Sequence, residues 1–239
     1  MAGHSKWANI KHRKGRQDAI RGKLFTRLIR EITVSAKLGG ADINSNPRLR
    51  SAVEAANNSN MPKDKIERAI NKGSGDQETQ NLEEIRYEGY SPGGAAIIVD
   101  CVTDNKNRAV AEVRHAFSKV GGKLGTEGCV AFLFKKVGLI TVVDVDDEDK
   151  FLEKVLECDV DDVLKITAES FEVVCSPEAY FNVKDLLQSS DINLSNSELT
   201  LVPTQEKKLN EKYLEQTEKM IDLLEEVDDV QKVYTNAVL

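Results

Sequence analysis

Long apolar runs are missing from this sequence. The longest uncharged one, Gly93 to Val99, falls far short of the ~20 residues a helix needs to cross a bilayer, so a transmembrane helix is excluded and no membrane partner is expected. The basic N-terminus has no apolar h-region or small-residue cleavage site behind it, and the expectation is a cytoplasmic protein rather than a secreted one. Cysteine is sparse: Cys101, Cys129, Cys158 and Cys175 form no CxxC pair, and three of them sit inside apolar runs. That pattern reads as buried, reduced thiols and argues against a disulfide framework or a zinc site. The three histidines, His4, His12 and His115, have no metal-binding spacing and no nucleophile–base context. No metal, no cofactor and no enzymatic activity are expected.

Two stretches imitate binding motifs. "GGKLGTEG", Gly121 to Gly128, has the glycines of a phosphate loop but follows a helical pattern and precedes a strand, the reverse of what dinucleotide and P-loop sites need. The acids Asp144, Asp146, Asp147, Glu148 and Asp149 read as a solvated turn that places negative charge at the start of the next helix.

What the sequence does have is charge, unevenly divided. Through Gly75 there are 16 lysines and arginines against 6 acids, a net of +10; the remainder holds 17 against 34, a net of -17, and the two give the whole-chain value of -7. A basic module on an acidic body points to a polyanion for the first part, with a basic protein partner suiting the acidic remainder. With 239 residues, 40 % hydrophobic and 31 % charged, the chain is ordinary globular material, long enough for two to three modest domains.

Periodicity divides it. Apolar residues recur at three- and four-residue intervals from Gln17 to Leu38, and Gly39-Gly40 ends the run. Asn46-Pro47 looks like an N-cap with proline in the first turn, and a third helix starts at Pro62, with Gly73 as its terminator. Residues 1–75 therefore read as a basic helical domain, with a linker over Ser74 to Asn81. Strands follow at Glu84 to Tyr90 and Gly94 to Thr103, then a helix containing Val110, Val113 and Phe117, then a strand at Gly128 to Lys135. Residues 136–203 read βαββαβ, the split-βαβ plan: strand Gly138 to Val143, helix Glu148 to Cys158, hairpin Val163 to Thr167 and Phe171 to Cys175, helix Glu178 to Gln188, strand Glu198 to Val202. A long helix, Gln205 to Glu226, and a strand, Val230 to Val238, lack neighbours nearby in sequence. The expectation is that residues 204–239 return to complete a middle domain begun at 82–135, with 136–203 inserted into it. The fold class is α+β: a small helical domain followed by two ferredoxin-like α/β domains, the last inserted into the middle one.

Residues 6–30 carry nine positive charges and one negative. Arg16, Lys23, Arg27, Arg30 and Lys37 are spaced 7, 4, 3 and 7 residues apart and so share one side of a helix, opposite Phe25, Leu28 and Ile32. Such a ridge repels itself unless an anion is near, which favours phosphate contact over a plain solvated face. Lys6, Lys11, Arg13 and Lys14 precede it in a segment of little apolar content, and Trp7 there suits either stacking on a base or anchoring the arm. Arg48, Arg50, Lys63, Lys65 and Arg68 add a second basic group. No recognition-helix signature specifies a base sequence.

Seven blocks, "MAGHSKWANIKHRK", "KLFTRLIREITVSAKLGG", "NPRLRSAVEAA", "NMPKDKIERAI", "YEGYSPGGAAIIVDCVTDNKNR", "EVRHAFSKVGGKLG" and "VDDVQKVYTNAVL", together resemble the YebC/PmpR family of bacterial proteins over nearly the whole chain. The resemblance implies a helical N-terminal domain before two α/β domains, and a DNA-binding transcriptional regulator. It also implies an alternative, a translation factor or activator that holds ribosomal RNA. The positions matching a basic nucleic-acid surface are Lys6, Lys11, Arg13, Lys14, Arg16, Lys23, Arg27 and Arg30, to which the ridge adds Lys37. Gly15 and Gly22 depart from the helix-compatible residues expected there; each lowers helix propensity by ~1 kcal/mol relative to alanine, so the first helix is expected to start late.

Overall fold

The computed structural model describes residues 17–75, 82–190 and 192–239. The chain divides into two compact units. One runs to Leu133 and resumes at Gln205; the other spans Phe134–Thr204.

The first unit opens with three helices, α1 (Gln17–Gly39), α2 (Pro47–Asn58) and α3 (Lys63–Ser74). Helix α1 continues through Gly22, so the glycine does not delay it. It stops where Gly40 takes a φ of +87° and its N–H bonds Ala36 O at 2.9 Å. The Asn46 side chain caps α2 by accepting from Leu49 N at 3.0 Å, and its amide donates to Ser35 O and Gly40 O, both at 2.8 Å, which ties the α1–α2 turn together. Ile32, Ala36, Leu49, Ala52, Ala56, Met61, Ile66 and Ala69 form the core of the three helices. Gly73, expected to end α3, lies inside it. A Cβ there would stand 2.3 Å from Thr33 O and 2.7 Å from the Ala36 side chain, so this glycine permits close approach of α1 and α3.

The same unit contains strands β1 (Glu83–Tyr90) and β2 (Ala96–Thr103), helix α4 (Lys106–Lys119) and the two-residue strand β3 (Lys123–Leu124). Helix α7 (Glu211–Glu226) and β8 (Val230–Thr235) complete it. The sheet order is β3-β1-β2-β8, antiparallel throughout, with the β1–β2 hairpin at its centre. Ile97, Val99 and Cys101 of β2 face Val113 and Phe117 of α4 and Met220, Ile221 and Leu224 of α7. Strand β2, paired with β1 on one side and β8 on the other, is buried along nearly its whole length.

Two expected elements are displaced, each by a specific bond set. Of the strand placed at Gly128 to Lys135, only Phe134 and Lys135 are strand, at the start of a longer one; residues 128–133 are a turn with a 3₁₀ segment at Ala131–Leu133. There the buried Glu88 carboxylate accepts from Gly128 N at 2.9 Å and from Val130 N and Ala131 N at 2.8 Å, taking donors a ladder would need. The long helix begins at Glu211, not Gln205, because Asn210 caps it. Residue 207 meanwhile bonds the C-terminal stretch: Lys207 N donates to Asn236 O at 2.7 Å, and Val238 N to Lys207 O at 3.0 Å.

The second unit holds β4 (Phe134–Val143), α5 (Glu148–Leu156), β5 (Asp162–Lys165), β6 (Phe171–Cys175), α6 (Tyr180–Ser189) and β7 (Asn193–Pro203), in sheet order β5-β6-β4-β7. That is the split-βαβ order. Strands β4 and β7 are longer than periodicity suggested and pair from Phe134↔Pro203 to Val143↔Asn193. Phe151 and Phe171 stack with centroids 4.8 Å apart inside a core that includes Ile140, Val173, Tyr180 and Leu187. Asp147 caps α5, accepting from Lys150 N at 3.1 Å, with Glu148 and Asp149 in its first turn.

Candidate nucleic-acid interface

Lys6, Lys11, Arg13, Lys14 and Arg16, with Trp7, His4 and His12, lie outside the described residues. The four remaining members of the expected ridge share one side of α1, as helix geometry requires, and each reaches a backbone carbonyl of the protein itself, at the end of α7, in the turn after it or just before β1; Arg27 and Arg30 are half-buried there, while Lys23 and Lys37 stay exposed. Lys23 Nζ donates to Glu226 O at 3.1 Å, Arg27 to Glu225 O at 2.5 Å and Arg30 to Asp228 O. Lys37 Nζ donates to Leu82 O at 3.0 Å, just before β1.

The reason is a mismatch of charge. The carbonyls of a helix's last turn have no intrahelical partners and carry the negative end of its dipole. Helix α7 ends Leu-Leu-Glu-Glu and has no basic residue in its last turn, so α1 supplies the cations from a distant part of the chain. Packing against α7 withdraws water from the Arg27 guanidinium and lowers its pKa, and the nearby Glu225 and Asp228 charges offset only part of that loss.

Below this contact lies a carboxylate that sequence reasoning missed. Asp229 is fully buried. It accepts from Arg108 Nε at 3.1 Å and from Arg108 Nη2 at 2.9 and 2.8 Å, and from Thr103 Oγ1 at 2.9 Å; Arg30 Nη2 stands 3.0 Å from its Oδ1. Arg108 also pairs with Asp104 at 2.8 Å. One buried acid thus joins α1, β2, α4 and the α7–β8 turn. The signal available in the sequence was the pair of blocks "CVTDNKNR" and "VDDVQKV", whose charged and hydroxyl residues meet here. Arg48 makes a second bridge, to Glu31 at 2.7 Å within the helical domain and to Glu84 of β1 at 2.5 Å. Those two carboxylates outweigh the effect of burial and raise its pKa.

Other cations of the helical domain face outward. Lys63, Lys65, Arg68 and Lys72 are exposed along α3. Lys65 lies 5.6 Å from the Phe25 ring centroid, and Arg68 makes only a long, exposed pair with Asp64 at 3.4 Å. Among the described residues, no cluster of histidine, cysteine and acid side chains could hold a metal ion, and no helix is long and apolar enough to cross a membrane.

Known proteins are similar to this chain in sequence and fold. The family model for the TACO1/YebC protein N-terminal domain matches residues 5–76, and the model for the TACO1/YebC second and third domain matches residues 82–237. A protein of Coxiella burnetii named probable transcriptional regulatory protein is 55 % identical over 237 residues, covering 99 % of this chain and 97 % of its own. One of Nitrosospira multiformis with the same descriptive name is 54 % identical over 239 residues, covering both chains in full. The crystal structure of a conserved hypothetical protein from Aquifex aeolicus superimposes with a TM-score of 0.86 at 44 % identity, covering 97 % of this chain and 96 % of that one. With its helical module and both α/β regions matched, in order and nearly end to end, this chain belongs to the TACO1/YebC family.

Proposed function

We propose that this protein is a non-enzymatic, cytoplasmic regulator of gene expression that binds nucleic acid through its N-terminal domain, with duplex DNA as the target. The observation that carries the reading is the division of charge: +10 over the first 75 residues against -17 over the rest. Helix α3 holds Lys63, Lys65, Arg68 and Lys72 outward, where phosphates can reach them. The arm residues Lys6, Lys11, Arg13, Lys14 and Arg16 extend the same cationic character toward the N-terminus. Lys23, Arg27, Arg30 and Lys37 are further phosphate contacts in this reading, on condition that they leave the carbonyls of Glu226, Glu225, Asp228 and Leu82. The relatives' descriptive names support a regulator of transcription. Contacts of this kind give affinity with little base preference.

Replacing Lys63, Lys65, Arg68 and Lys72 with glutamine tests the reading. Retention of a mixed-sequence duplex should weaken, and the log–log salt slope should fall by about 0.9 for each phosphate that the variant no longer neutralises. An unchanged slope would reduce α3 to a solvated face. The same variant run against purified ribosomes separates duplex DNA from ribosomal RNA: loss of ribosome association with undiminished duplex binding would transfer the target to RNA.

A further inference from the structure

The cations of α1 are already donating to backbone carbonyls of their own chain, Arg30 also to the Asp229 carboxylate, and a nucleic-acid phosphate would compete for the same side chains. We infer that the contact between α1 and the C-terminal end of α7 is a reversible clasp, which duplex DNA opens by taking Lys23, Arg27 and Arg30 from the carbonyls of Glu225, Glu226 and Asp228. The inference rests on the nucleic-acid reading above and adds a regulatory contact to it.

Three features make the contact one that can open. First, its partners on α7 and the following turn are backbone carbonyls at Glu225, Glu226 and Asp228, all exposed residues, so water can replace the departing side chains. Second, the buried Asp229 does not depend on Arg30. When Arg30 leaves, the forked contact from Arg108 and the Thr103 hydroxyl remain, so no buried charge is stranded. Arg48 is arranged likewise, keeping Glu31 when it releases Glu84. Third, the helical core and the core beneath the first sheet are separate apolar clusters, so undocking the helices dismantles neither. Closed, the clasp occupies Lys23, Arg27 and Arg30 with carbonyls of their own chain; open, it frees them for phosphate.

A clasp of this kind lowers apparent affinity by the fraction of molecules that are open. Weakening it from the α7 side should therefore tighten DNA binding. In the full-length protein, Glu225→Gln with Asp228→Asn removes the two charges that hold Arg27 without touching a proposed phosphate contact. The released variant should bind a mixed-sequence duplex about three- to tenfold more tightly, with a steeper salt slope. The gain should vanish when Lys23→Gln and Arg27→Gln are added, because the liberated cations are then missing. Saturating the wild-type protein with the duplex should also accelerate amide exchange over residues 225–230. A gain that persists without Lys23 and Arg27 would be a general charge effect and would overturn the clasp. So would tight duplex binding with unchanged exchange over 225–230, which would leave the nucleic-acid reading standing. Failure of wild type and released variant alike to bind duplex would bring down both.

Discussion

Glu88 is the residue whose chemistry most directly organises a loop. Its side chain is sequestered beneath residues 128–131 and accepts three backbone N–H bonds there, while its own carbonyl accepts from Gly125 N at 2.7 Å. Burial alone would push the carboxyl up, but the bonds from Val130, Gly128 and Ala131 outweigh it and hold the group below its ordinary range. Glu88→Gln replaces one accepting oxygen with an amide that turns donors toward donors, and should cost about 2–3 kcal/mol at neutral pH. The sign of the pH dependence follows from the depressed value. The contribution is complete above the unfolded glutamate value of about 4.3 and is lost as pH falls through the lower folded one. Urea midpoints of wild type and variant should differ by a constant amount near neutrality and converge in acid; a gap that widens in acid would contradict the assignment.

At the scale of the element, two glycines in α-helices have opposite roles that sequence alone does not distinguish. Gly22 is in α1 with nothing within 4 Å of where a Cβ would stand, so Gly22→Ala should stabilise the protein by up to ~1 kcal/mol through helix propensity. Gly73 is in α3, where the same change drives a methyl against Thr33 O and the Ala36 side chain. Gly73→Ala should cost about 1–3 kcal/mol by forcing the two helices apart. Thermal unfolding of both variants checks the pair, and equal shifts of one sign would refute the distinction. Elements whose signals are local were legible beforehand: Asn46-Pro47 opened α2, Gly39-Gly40 closed α1, and the acids from Asp144 to Asp149 led into α5 with negative charge in its first turn. The strand expected at Gly128 was not, because Glu88 is forty residues away in the chain.

For the whole molecule, the C-terminal segment is the consequential one. Strand β8 pairs with β2 from Ile97↔Thr235 onward, α7 contributes Met220, Ile221 and Leu224 to the core under that sheet, and Asp229 receives Arg30 and Arg108. A chain ending at Pro203 loses all three at once. Amide protection should collapse across β1 and β2, while the helical core around Leu49 and the sheet of the second unit keep theirs. Retained protection in β2 would show that α7 and β8 are dispensable to the first sheet.

Helix periodicity, capping residues, turn glycines and the split between a basic beginning and an acidic remainder are properties of neighbouring residues, and the sequence by itself determined them. It also determined that Lys23, Arg27, Arg30 and Lys37 share one side of α1, since a helix imposes that geometry on any such spacing. What those side chains face was decided only by tertiary structure. The answer depends on α7, some two hundred residues further along the chain, ending without cations of its own and presenting its last carbonyls to α1. A lysine or arginine can donate to a carbonyl, a carboxylate or a phosphate, so spacing identifies the cations, and only the fold identifies the acceptors they hold.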